Sequence, residues 1–128
     1  MRILITETKG EKEMNQVSLL GRLVRPIELQ EVGSDRVVCN NTLAVQRLRK
    51  KEDTQSQADF IPVVFWGNTA RLLHQYCGKG NQIGVNGHLA SRSYMNKQDQ
   101  QVFVVELIAE EIHFVESKKE VTSKEAVF

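Results

Sequence analysis

Three aromatic side chains, Phe60, Trp66 and Tyr94, and the cations near them have the types and spacing to do chemistry. Flat π-faces stack on other flat apolar groups, and nucleobases are one such partner. Arg47, Arg49, Lys50 and Lys51 form a tight basic cluster, Lys79 sits between Gly78 and Gly80, and Arg92 lies two residues before Tyr94. Cations so placed can follow a phosphate backbone. Strand aromatics often serve a core or a subunit interface instead, and surface Lys and Arg are ordinary solvated groups. Rings and cations together favour non-covalent capture of stacked, anionic units.

Enzymatic alternatives are poorly supplied. His74 and Cys77 have an H-x-x-C spacing, with His88 and His113 elsewhere. A zinc site needs four convergent ligands, or three and a water, and there is no second paired motif. Nucleophile elbows, P-loops and GxGxxG runs are absent, and the carboxylates are scattered. Neither catalysis nor a metal or other cofactor is expected.

The elements that must position these residues read mainly as strands. In Ala58 to Gly67, alternation puts Phe60, Pro62, Val64 and Trp66 on one face and Ile61, Val63 and Phe65 on the other. Both rows are apolar, yet only one can line a small barrel. The other must be covered by a partner subunit or a ligand with flat apolar surfaces. Pro62 removes one ladder N–H, which marks an edge strand or a bulge.

Upstream, residues 15–24 and 27–32 are strand material broken at Pro26, and Gly33-Ser34-Asp35 is a turn signal. From Val37, the row Val37, Cys39, Leu43, Val45 alternates with Asn40, Thr42, Gln46, and Asn41 interrupts the apolar row without an evident partner. Arg49 to Gln57 reads as a long hairpin loop. A helix is predicted over Thr69 to Cys77, with Ala70, Leu73 and Cys77 in its apolar stripe, Asn68 as N-cap and Gly78 as C′ stop. In Gln82 to Tyr94, Ile83, Val85 and Leu89 are expected inward and His88, Ala90, Arg92 and Tyr94 outward. The turn Asn96 to Asp99 leads into a last strand, Gln101 to Val115. Three strands, a short helix and two strands is the order of an OB-fold, a five-stranded Greek-key barrel.

The 128 residues suffice for one domain without disulfides or a structural metal. Seventeen Lys and Arg nearly balance sixteen Asp and Glu, so any attraction to polyanions must be local. The two cysteines show no partner pattern, and Ile3-Leu4-Ile5 is too short for a signal core or a membrane span. A cytoplasmic location follows as the default. The OB domain is expected over 14–116, with an extension at 1–13 that adds an edge strand or is disordered, and a short disordered tail at 117–128. Lys9-Gly10-Glu11 can be encoded by a purine-rich ribosome-binding sequence, so Met14 is the expected start. Met1 at the N-terminus of the native protein would overturn that.

Specific stretches resemble bacterial single-stranded DNA-binding proteins. They are Asn15 to Leu23, Leu43-Ala44-Val45 with Arg47, Ala58 to Ile61 leading to Val64-Phe65-Trp66-Gly67, Tyr76 with Lys79-Gly80, and Val85 to Leu89 with Ser91 to Tyr94. The resemblance spans about Met14 to Val115. It implies an OB-fold subunit, usually of a homotetramer, that wraps single-stranded DNA without sequence preference and serves replication, recombination or repair near the nucleoid. It implies stacking at Phe60, Trp66 and Tyr94, and cation contacts at Lys79 and Arg92. A further stacking position of the family is occupied here by Arg49, whose guanidinium can stack and also pair with phosphate. Pro62 stands where many relatives have a polar or basic residue. Family tails end in an acidic run and an Ile-Pro-Phe-like tip that recruits replication and repair enzymes. Ser123 to Phe128 keeps the terminal Phe without the acidic run or the proline, so the resemblance does not extend to that recruitment.

The expected mechanism is stacking on Phe60, Trp66 and Tyr94, with phosphates steered by Arg47, Arg49, Lys50, Lys51, Lys79 and Arg92. A rival from another class is an OB-fold accessory subunit of a primosome or conjugation machinery, in which the apolar face is a protein interface. A remote third is a metal-dependent enzyme using His74 and Cys77.

Overall fold

The alternation along residues 37–46 and 58–67 is realised as pleated strands whose inward rows meet in one core. The computed structural model describes residues 12–48 and 57–116. The expectations for residues 1–11, most of the loop from Arg49 to Gln57, and the tail from 117 lie outside the described residues. The elements are β1 (Val17–Leu23), β2 (Gln30–Val32), β3 (Arg36–Gln46), β4 (Ala58–Trp66), α1 (Gly67–Tyr76), β5 (Gln82–Met95) and β6 (Gln101–Phe114).

β1 pairs with β5 along one edge and with β3 at Arg22↔Ala44 and Leu23↔Leu43 along the other, so the five long strands close on themselves. The ring is completed by antiparallel β3–β4 and β5–β6 pairs and a short parallel β4–β6 contact. This is the OB-fold expected from the element order. The segment at 27–32 does not extend β1. Its end forms the three-residue β2, which adds to the edge of β3 beside Arg36 to Val38.

The inward rows bury Leu23, Cys39, Leu43, Val63, Phe65, Ile83, Val85 and Leu107, and α1 packs Ala70 and Leu73 against them, joined by its C-cap residue Cys77. The predicted helical stripe is thus the one that is buried. Burial pushes the Cys39 thiol up, against the opposing pull of hydrogen bonds involving the Glu28 backbone and the Asn41 side chain.

Asn41, 4% exposed, finds its partners where the edge of β3 passes from β2 to β1. Its Oδ1 accepts from the N–H of Arg25 (3.2 Å) and Thr42 (2.7 Å), while Nδ2 donates to the Arg25 carbonyl (3.0 Å). A core-facing amide is retained because it satisfies a crossing backbone that has no ladder partner there.

Three local expectations are corrected. Asn68 does not cap α1. The N-cap is Trp66, without a side-chain cap bond, because Gly67 (φ 56°) turns the chain directly out of β4 and puts Asn68 inside the first turn. Gly78 does follow the C-cap residue Cys77, and its N–H donates to Asn81 Oδ1 at 2.7 Å. Leu89 is not core but 43% exposed, because β1 stops pairing with β5 at Val17↔Gly87 and the β5–β6 hairpin runs on beyond the closed ring. Val64, on the outward row, is nonetheless buried at 5%, where β4 is flanked by both β3 and β6.

Candidate nucleic-acid interface

Strand register decides which outward side chains share a surface, because directly paired residues point to the same side. On β3 and β4 the outward pairs are Val38↔Trp66, Asn40↔Val64, Thr42↔Pro62 and Ala44↔Phe60. The parallel contact Val64↔Ile108 carries the face onto β6, and Tyr94↔Val102, Arg92↔Val104 and Ala90↔Glu106 carry it to β5. Phe60, Trp66, Arg92 and Tyr94 therefore lie on one continuous face. The only β4–β6 pairs are Val63↔Leu107 and Val64↔Ile108. Beyond them the Phe60 half of β4 pairs with β3 alone, and the β5–β6 hairpin diverges from it. Pro62 falls in that half with no register shift, so the edge position and not a bulge accounts for it.

The three rings differ in setting. Phe60 is 61% exposed and Tyr94 47%. Trp66 is half-buried, with the guanidinium of Arg36 4.6 Å from its ring centroid. Phe60 and Trp66 are six residues apart on one strand, about 20 Å at ~3.3 Å per residue. Tyr94 also carries an arginine, Arg92, at 5.9 Å.

Two of the expected phosphate-steering cations are held by carboxylates. Arg47 Nε donates to Asp59 Oδ1 at 2.9 Å, and Arg92 Nε to Glu106 Oε1 at 3.1 Å. Lys79 is exposed and makes no ion pair among the described residues. Its short loop is fixed from both sides: Gly80 N–H donates to the Leu23 carbonyl (2.8 Å), and the buried Asn81 donates through Nδ2 to Glu116 (3.3 Å). Arg49, Lys50 and Lys51 lie outside the described residues.

A groove of about 860 Å³ opens where β1 and β3 part, lined among others by Ser18, Leu20, Arg22, Gln46, Arg47 and Gln57. Through Ala44↔Phe60 it adjoins the aromatic face. Among the described residues no group of three or more His, Cys, Asp or Glu side chains is placed to hold a metal ion, and no helix is long and apolar enough to cross a membrane.

The sequence model of the single-strand binding protein family matches residues 14–115. This chain belongs to that family. It is 42% identical over 105 residues to a single-stranded DNA-binding protein of Streptococcus pneumoniae, covering 82% of this chain and 67% of that one. It is 43% identical over 108 residues to single-stranded DNA-binding protein 2 of Clostridium acetobutylicum, covering 84% and 80%. A solved Plasmodium falciparum SSB complex with ssDNA matches with a TM-score of 0.73 at 21% identity, covering 84% of this chain and 99% of that one. That last likeness is one of fold.

Two features of the face have no signal in the local sequence pattern. Arg36 was not singled out, because nothing in its local pattern links it to Trp66. The link depends on the β3–β4 register. Arg22 lines the groove and donates through Nη1 to the Gly80 carbonyl at 3.0 Å, a contact between residues 58 apart in the chain.

Proposed function

We propose that this protein binds single-stranded DNA without reading its sequence, protecting exposed strands in replication, recombination or repair. The observation that carries the reading is the shared outward face of Phe60, Trp66 and Tyr94: rings on a sheet face that the core does not use. Bases stack on Phe60, Trp66 and Tyr94 at about 1–3 kcal/mol each, a gain that every base can supply. Arg47, Lys79 and Arg92 meet phosphates, with Arg49, Lys50 and Lys51 in the same role. Arg47 and Arg92 exchange a carboxylate for a phosphate on binding. The Arg47–Asp59 pair is half-exposed and costs little to open, whereas the Glu106 carboxylate is only 12% exposed and costs more to leave without its arginine. Affinity falls with salt, less steeply than for a purely ionic binder, because stacking is not screened.

The working form is a homo-oligomer, a tetramer by analogy with the family, in the bacterial cytoplasm. The reverse face of the β5–β6 hairpin supports assembly, since Leu89, Met95, Phe103 and Val105 are all exposed there. The test is quenching of Trp66 fluorescence by an oligothymidylate, with mass measured in solution with and without DNA. Quenching and a mass increase are expected. A folded sample whose emission and mass stay unchanged at low salt would instead favour an accessory subunit whose apolar face is a protein interface.

A further inference from the structure

The Arg36 side chain stands apart from the other arginines of the face. It lies on β3 at the β2–β3 turn, paired with Val32, and is exposed. Two residues on, Val38 pairs with Trp66, so Arg36 shares the outward side with the indole and its guanidinium sits 4.6 Å from the ring centroid. Arg47, Arg92 and Arg22 each have a carboxylate within 4 Å, namely Asp59 at 2.9 Å, Glu106 at 3.1 Å and Glu116 at 3.6 Å. Arg36 has no such partner among the described residues. Among the described residues, an incoming phosphate therefore has no carboxylate to displace from it.

We propose that Arg36 is a nucleic-acid contact, stacked on Trp66, that extends the bound strand past β4 to the β2–β3 hairpin; the inference rests on the single-strand reading above. The guanidinium is planar. Held 4.6 Å from the indole centroid and exposed, it offers a base a second flat surface and a phosphate oxygen its N–H edge. Holding the side chain against the ring beforehand reduces the ordering cost of binding. The arrangement mirrors Arg92 over Tyr94, so the face carries two arginine–aromatic pairs besides the bare ring of Phe60. A cation–π contact accounts for the guanidinium's place on the indole; with no carboxylate on it among the described residues, its N–H edge is left to a phosphate.

The test compares wild type, R36A, R36Q and R36K with an oligothymidylate from about 50 to 200 mM salt, with thermal melts as a folding check. Loss of one phosphate contact lowers the slope of log K against log salt by about 0.7 for single strands. R36A and R36Q should show that drop, with affinity weakened about tenfold at the lowest salt. R36K should keep the slope and recover only part of the affinity, because an ammonium does not stack as a plane does. If R36A does not fold, R36Q against R36K makes the same comparison. An unchanged slope and affinity in the neutral variants would overturn the contact. So would tighter binding with stronger Trp66 quenching, which would mean that Arg36 merely covers the ring. A wild type that fails to bind would overturn the single-strand reading together with the contact, whereas a binding wild type beside unaffected variants would overturn the contact alone.

Discussion

Removing the Phe60 ring separates a binding role from a structural one more cleanly than any other change. Phe60 is 61% exposed, lies on the outward row opposite Ala44, and contributes nothing to the core cluster. Phe60→Ala should therefore change folding stability by no more than about 0.5 kcal/mol, as surface substitutions do. The same substitution at Phe65, five residues along the strand and 0% exposed, should cost about 3–5 kcal/mol by emptying the core. If a base stacks on Phe60, truncation removes about 1–3 kcal/mol of binding, a loss of roughly 5- to 150-fold in affinity. The ring is neutral, so the loss should be the same at every salt concentration and leave the salt slope untouched. Trp66 is retained in the variant, so fluorescence titration with an oligothymidylate at two salt concentrations, beside a thermal melt, reads all three quantities. Affinity within about twofold of wild type would refute stacking at Phe60. A melting temperature lowered as far as that of Phe65→Ala would refute the placement of the ring outside the core.

Two further outcomes follow from the same geometry. Asp59→Asn releases Arg47 from a half-exposed ion pair worth about 0–1 kcal/mol, so the melt should hardly move while DNA affinity rises about two- to fivefold and its salt slope steepens; weaker binding in the same titration would mean that Asp59 positions Arg47. Gly87→Ala would place a Cβ 2.0 Å from the Ile108 carbonyl oxygen at the register shift between Asn86 and Gly87, so calorimetry should find about 1–3 kcal/mol or more of lost stability, and an unchanged melting temperature would contradict that close approach.

Much of the fold was legible because its signals are local. Alternation broken only at Asn41 marked β3, a short apolar run marked β4, the spacing of Ala70, Leu73 and Cys77 identified the buried helical stripe, and Asn96 to Asp99 marked the turn between β5 and β6. The start of α1 was misread because Asn68 is a good N-cap by type, whereas the positive φ of Gly67 starts the helix earlier. Leu89 was misread because alternation gives a side chain's direction but not where the covering strand ends.

For the site, residue types along single strands were enough to nominate Phe60, Trp66 and Tyr94 as rings on outward rows and the cations around them as candidate contacts. Side-chain period is a property of one strand. The tertiary structure alone decided that those rows merge into one face, that Asp59 and Glu106 engage two of the cations, and that Arg36 lies over Trp66. Each of these depends on pairing between residues distant in the chain, and such register is set by barrel closure and packing that no local pattern encodes.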